Sequence, residues 1–303
     1  AIGGTACTND TCVDIGENGP CDGMFFLCAA GLTCDPVDEI CVSAPMADPV
    51  ADLTAVRMTP DGTGLNLPVR GVVVTYVKPS FDTENTDPTG FMVQAGPTGP
   101  AVFVRAPSPP AIPVQVGDTV SFTVNALVTV SGRLDVTAFT GLQVTGSGMN
   151  VTPWIQNVSA ATDLVSAVGS YEMELVTATG RVTGAFTIAG TGYLGATMDT
   201  AGVTGASQLR VRMPTAIRTA TGIREGCAVT VTGTPLWRFN SQAQVTAWNM
   251  SEIAVSDCPP LVQNAVLRIN EVNAKATGSC DLVELRVIQG GSVQGMTLTA
   301  RGS

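Results

Sequence analysis

Beyond residue 50 the chain alternates apolar and polar positions with the two-residue period of half-buried β-strands, and Gly and Pro punctuate the runs. An apolar strand is predicted over Val69–Val77. A second (GFMVQA, 90–95) and a third (AVFVRA, 101–106) flank a GPTGP turn, and VGDTVSFTVNALV (116–128) and LDVTAF (134–139) complete a set of five. The order then recurs: a strand around Leu175–Phe186, GYLGATM (192–198), SQLRVRMP (207–214), GCAVTVTGTPLW (226–237) and AQVTAWNMSEIAV (243–255). Gly71 and Gly180, Gly117 and Gly226, Val120 and Val229, and Val136-Thr137-Ala138 and Val245-Thr246-Ala247 all sit at one offset, 109 residues. A constant offset over four landmarks means two copies of one β-module.

The pattern divides the chain into a cysteine-rich segment (1–43), a Pro- and Ala-rich linker (44–52), a first β-module (53–150), a second linker (151–167), a second module (168–258) and a C-terminal segment (259–303). V-R-G-V-V, G-F-M-V-Q, A-V-F-V, V-G-D-T-V and a closing strand resemble the five-stranded OB-fold barrel, in particular OB-like modules of secreted bacterial proteins. Some of those modules sit beside extracellular nuclease domains. The resemblance implies a Greek-key barrel whose ligand face is built by its second and third strands and the flanking loops. In the C-terminal segment, Ile269-Asn270-Glu271-Val272 and the later Asp281-x-Val283-Glu284-Leu285 resemble the opening of a lamin-tail domain, an immunoglobulin-like β-sandwich. Such a sandwich takes about 100 residues, so this stretch is read as a partial one. The expected fold class is therefore all-β: a disulfide-rich N-terminal module, two tandem OB-like barrels and a partial Ig-like C-terminus.

Six cysteines fall in the first segment: Cys7, Cys12, Cys21, Cys28, Cys34 and Cys41. Without C-x-x-C knuckles or histidines, an even count in a short Gly- and Asp-rich stretch reads as three disulfides of undetermined connectivity. Cys227 and Cys258 bracket the last two strands of the second module and are expected to pair. Asp118 stands where the first copy would match Cys227. Cys280 is the odd ninth cysteine, expected to be unpaired or intermolecular.

Composition agrees with twisted β-structure: of 303 residues, 45% are apolar and only 13% charged, with 33 Gly. No apolar run reaches the ~18 residues of a membrane span. The net charge of −10 is concentrated: residues 1–50 hold eight carboxylates and no Lys or Arg, leaving the other 253 residues at −2. A chain without a basic surplus argues against nucleic acid as partner. The absence of histidine removes the commonest general base and metal ligand, and with them Ser-His-Asp and Cys-His catalysis. No enzyme activity and no cofactor are expected.

Candidate chemistry is correspondingly thin. The first module's loop carries Asp82, Glu84 and Asp87, which would repel phosphate, and Phe91 and Phe103 read as core. The second module gathers Tyr193, Arg210, Arg212, Trp237, Arg238, Phe239 and Trp248. Arg210, Arg212, Trp237, Arg238 and Phe239 form a candidate patch for stacking bases or sugars, against the plainer reading of barrel packing with an exposed Arg row. Glu172 and Glu174 have the spacing of a carboxylate pair, but two acids near a strand start read as solvated. Asp14, Glu17, Asp35, Asp38 and Glu39 offer oxygen ligands for Ca²⁺, without an ordered motif.

A start at Ala1, the cysteines and low charge point to an extracellular or cell-surface protein after signal-peptide removal. Its expected function is structural: β-modules that self-assemble into a fibre or sheath, partnered by copies of itself or by other surface proteins. The alternative is a secreted OB-fold binding protein or accessory subunit for single-stranded nucleic acid or glycan.

Overall fold

The computed structural model describes residues 47–79, 87–106, 113–260, 265–273, 282–293 and 296–297, with the backbone of four N-terminal strands. Those are β1 (Gly4–Thr8) with β2 (Thr11–Ile15), and β3 (Leu32–Asp35) with β4 (Ile40–Ser43). Each pair is an antiparallel hairpin, with Cys7 facing Cys12 in the first and Cys34 facing Cys41 in the second. The expected bonding of the six N-terminal cysteines and the Ca²⁺ ligands concern side chains outside the described residues, as do Cys280, Asp82 and Glu84.

Helix α1 (Pro49–Met58) begins inside the Pro- and Ala-rich segment. Asp48 caps it by accepting from the Ala51 amide (3.0 Å), and Pro49 occupies the first turn, where no backbone donor is needed. Leu53 and Val56 are fully buried in the first barrel's core, and Asp52 accepts from Arg70 at 2.8 Å.

Barrel 1 consists of β5 (Gly62–Lys78), β6 (Gly90–Gln94), β7 (Ala101–Arg105), β8 (Thr119–Val130) and β9 (Arg133–Gly146), closed in the order β5-β6-β7-β9-β8. Every pairing is antiparallel except β7 with β9. That is the closed five-stranded Greek key of an OB fold. In chain order, barrel 2 uses β10 (Gln156–Asn157), β11 (Leu175–Val182), β12 (Thr187–Ile188), β13 (Tyr193–Thr200), β14 (Leu209–Pro214), β15 (Ala228–Phe239), β16 (Gln242–Thr246) and β17 (Ile253–Ser256). Five of these close a ring in the same order, β11-β13-β14-β16-β15, and β14–β16 is again the parallel pair.

The sequence repeat is a structural repeat. Before the fourth strand of each barrel the chain turns through a glycine at positive φ, Gly117 (90°) and Gly226 (83°), where a Cβ is disfavoured. Gly117 donates to Val74 O and Val74 to Asp118 O; Gly226 donates to Val182 O and Val182 to Cys227 O. Cys227 is bonded to Cys258, as expected from the sequence. Between its third and fourth strands barrel 2 carries α3 (Thr215–Thr221), which the strand pattern missed; most of the matching stretch of barrel 1, residues 107–112, lies outside the described residues. Residues 151–167 also do more than connect, because Val158 and Leu164 are buried in the core of barrel 2. Helix α2 (Val168–Tyr171) then leads into β11.

A third core joins the barrels. Tyr76, Met92 and Phe103 of barrel 1 pack with Met173, Leu175, Tyr193, Trp237 and Trp248. These barrel-1 residues alternate along their strands with Phe91, Val93, Val102 and Val104, which fill the barrel-1 interior. The outer face of barrel 1 is therefore covered by barrel 2. Phe91 and Phe103 are both buried, in different cores. Glu172 and Glu174 are not solvated but 3% exposed: Glu172 accepts from the Leu134 amide of barrel 1 and from Arg238, and Glu174 from Gln156.

The C-terminal residues form a hairpin of β18 (Val266–Asn273) and β19 (Leu282–Gln289), which among the described residues pair with each other and with no other strand.

Candidate functional site

Strand β14 shows how the site is made. Leu209, Val211 and Met213 point into barrel 2, so the pleat turns Arg210 and Arg212 outward. Gly195 of β13 lies opposite Arg212, and Gln244 of β16 opposite Arg210. Through the β15–β16 hairpin, Trp237 faces Gln244 and Phe239 faces Gln242. This is the outer face of the second and third strands of barrel 2. It floors a cleft of about 630 Å³ between the barrels.

The opposite wall belongs to barrel 1. The loop between its first two strands contributes Asp87 and Pro88, and the hairpin between its last two contributes Ser131 and Arg133. Barrel 2 adds the corresponding segments, residues 187–191 between β11 and β13 and Phe239 with Gln242 beside the β15–β16 turn. The two hairpin turns touch: Ser131 O accepts from the Asn240 amide, and both residues have positive φ (50° and 54°). They are 109 residues apart, the same position in the two copies.

Four arginines line the cleft: Arg105, Arg133, Arg210 and Arg212. Asp87 is the one carboxylate among the described lining residues, and it is already engaged, accepting from Lys78 Nζ and Tyr193 Oη, each at 2.8 Å. Arg133 lies 3.9 Å above the Trp237 ring and donates twice to the buried Asp135 (2.6 and 2.7 Å). Arg105 shares that carboxylate at 2.8 Å. Arg210 donates to Thr187 Oγ1 and Gly195 O. The Arg212 guanidinium lies 3.5 Å over the Tyr193 ring, and its Nε donates to Ala189 O at 3.0 Å. Among the described residues neither Arg210 nor Arg212 has a carboxylate partner.

Burial sets the electrostatics. It pulls the Lys78 ammonium down to about 8 against the opposing pull of Asp87, and it lowers the Arg212 pKa. It pushes the Tyr193 phenol up, with Asp87 adding to the effect, so the phenol stays a donor. Among the described residues no cluster of His, Cys, Asp or Glu has the geometry of a metal site, and no helix is long and apolar enough to cross a membrane.

Of the five residues singled out in the sequence, the fold brings Arg210, Arg212, Trp237 and Phe239 to the cleft. Arg238 points away from it and braces the junction through Glu172 (3.1 Å) and Asn240 O. Trp237 is only 5% exposed, with Arg133 across its ring and Phe103 and Trp248 at its edges, whereas Phe239 is 44% exposed. Sequence reasoning missed Arg105 and Arg133. Their one signal was their place beside a strand end and a tight turn in a chain poor in basic residues.

No protein-family model matches the chain, and no curated protein matches it. Among solved structures, the tetrameric p202 HIN2 domain is 14% identical over 65% of this chain and 95% of its own, with a TM-score of 0.31. The Ifi202 HINa domain in complex with 20-bp double-stranded DNA is 9% identical (64% and 96%; TM-score 0.29). Fission yeast Pot1 with single-stranded DNA is 8% identical (69% and 88%; TM-score 0.28). Likeness at this level carries no argument about function, and the OB assignment stands on the strand pairing of the barrels themselves.

Proposed function

We propose that the chain is a binding protein, secreted or an accessory subunit, that holds single-stranded nucleic acid in the cleft between its barrels. The observation that carries this reading is convergence: the loops OB barrels use for ligands, from both copies, meet over an arginine-lined floor with an exposed aromatic ring. Arginines neutralise the backbone, and Phe239 offers a face on which a base can stack. The overall charge of −10 does not oppose this locally, because most of it sits in residues 1–50. Fluorescence anisotropy with a labelled oligonucleotide of about 10 nucleotides, within the usual site size of such barrels, tests the reading. Binding should weaken with salt with a log–log slope of about −1.4, two phosphates at about −0.7 each. Absence of binding at low salt rejects nucleic acid. Binding of an acidic glycan instead moves the reading to that polymer.

One observation favours the structural reading as a second proposal. Among the described residues the C-terminal hairpin leaves Ile269, Val272 and Val287 about 60% exposed (58%, 59% and 60%), which suits edge-to-edge or face-to-face association. Electron microscopy of unreduced native material distinguishes the two: regular fibres support assembly, and dispersed particles at high concentration remove it.

A further inference from the structure

Arg212 is in an unusual position for a cation. It is 7% exposed, lines the cleft and forms no ion pair with a carboxylate among the described residues, although Asp87 lies across the same cleft; its Nη1 is buried without a hydrogen-bond partner among them. A buried guanidinium normally spends its donors on a carboxylate or on several carbonyls, because a desolvated charge with an unmade bond is costly. The neighbouring acids do not serve: Asp87 is held by Lys78 and Tyr193, and Asp135 by Arg105 and Arg133. The group is nonetheless fixed. Tyr193 supports its face and Ala189 O takes Nε. Gly190 passes so close that an added Cβ would come within 3.3 Å of Nη2. Two residues back along β14, Arg210 is a second outward arginine without a carboxylate partner among the described residues. A positioned planar fork with a spare donor, beside a second guanidinium, matches a tetrahedral oxyanion.

We infer that Arg212, with Arg210 beside it, is an oxyanion subsite of the cleft, occupied by one phosphodiester group of the bound strand. The inference rests on the nucleic-acid reading for the source of the anion but not for the subsite's chemistry. It makes Arg212 the residue that anchors the backbone, while Phe239 faces the bases.

The test compares the full chain with its Arg212→Met and Arg212→Lys variants, and with Arg268→Met on the exposed hairpin as control. The probes are an oligodeoxythymidylate and the same oligomer with an uncharged methylphosphonate backbone. The wild type should prefer the phosphodiester strand roughly ten- to a hundredfold, the range of a hydrogen bond to a charged group. Arg212→Met should lose that preference and flatten the salt slope by about 0.7. Arg212→Lys, charged but without the fork, should fall between them, and Arg268→Met should bind as wild type. A folded Arg212→Met protein with unchanged affinity and slope overturns the subsite while leaving the nucleic-acid reading intact. Loss of a sulfated glycan's binding in Arg212→Met, with no oligonucleotide binding by the wild type, upholds the subsite and overturns the source. Should Arg212→Met not fold, the wild-type melting temperature decides. Inorganic phosphate at tens of millimolar must raise it above chloride of equal ionic strength, and no difference overturns the inference.

Discussion

At the scale of single residues, exposure separates two aromatics that sit two positions apart on β15. Phe239 reaches solvent at the cleft, and Trp237 is enclosed by Arg133, Phe103 and Trp248. Phe239→Ala should therefore weaken oligonucleotide binding by about 1–3 kcal/mol, the worth of one stacked base, with little change in melting temperature. Trp237→Ala should do the reverse in emphasis, costing about 3–5 kcal/mol of stability as a large core truncation; calorimetry beside anisotropy reads both. Lys78 gives a pH signature. Its folded pKa of about 8 lies below the usual 10.5, so between those values the unfolded chain holds the extra proton. This group's contribution then makes the fold more stable as pH rises through that window. Denaturant titrations at pH 7.5 and 9.5 should show a gain in wild type that Lys78→Met lacks. Equal pH dependence in the two proteins would remove Lys78 as its source.

At the scale of elements, the two copies keep the strand order and differ in what covers the outer face. By sheet register, Phe103 of β7 faces Asp135 just as Arg210 of β14 faces Gln244, so equivalent positions carry a ring in one barrel and a guanidinium in the other. The ring is buried at the junction and the guanidinium opens on the cleft. Barrel 2 also has its own staple, Cys227–Cys258, closing a separation of 31 residues. Cys227→Ser should lower stability by about 3–4 kcal/mol, the range for a loop of that length, and should act on barrel 2. Proteolysis under native conditions should cut that barrel first in the variant. Helix α1 is the matching support for barrel 1. Leu53→Ala, truncating a fully buried side chain, should cost about 2–5 kcal/mol.

At the scale of the molecule, the junction couples the barrels. Trp248, Tyr193, Phe103 and Trp237 each bury most of a large side chain there, on the order of 1.5–3 kcal/mol apiece. Polar cross-links add direction: Tyr193 to Asp87, Tyr76 to Glu252 at 2.6 Å, and Arg57 of α1 to the Glu172 carbonyl. The barrels should consequently melt in one calorimetric transition. Phe103→Ala combined with Tyr193→Phe should split it into two, and a single sharp transition in the double variant would show that the junction does not couple them.

Much of this architecture was legible in the chain. Strand alternation around Val120–Val124 and Val229–Val231, the glycines at 117 and 226, and the 109-residue offset are local properties. Period-two burial and positive-φ turns depend on neighbours in sequence, so the two barrels and the Cys227–Cys258 bond could be read directly. Helix α3 escaped because a seven-residue helix between strands leaves too short a period to separate from turn chemistry. The cleft could not be read at all. Whether Phe103 is core or platform, whether Glu172 is solvated, and whether Arg133 joins Arg212 depend on how one barrel's outer face meets the other's, across sequence separations as large as the 176 residues between Tyr76 and Glu252. Tertiary packing decided that placement. It gathered arginines dispersed through a net acidic chain into one basic cleft, because fields add over space and not along sequence.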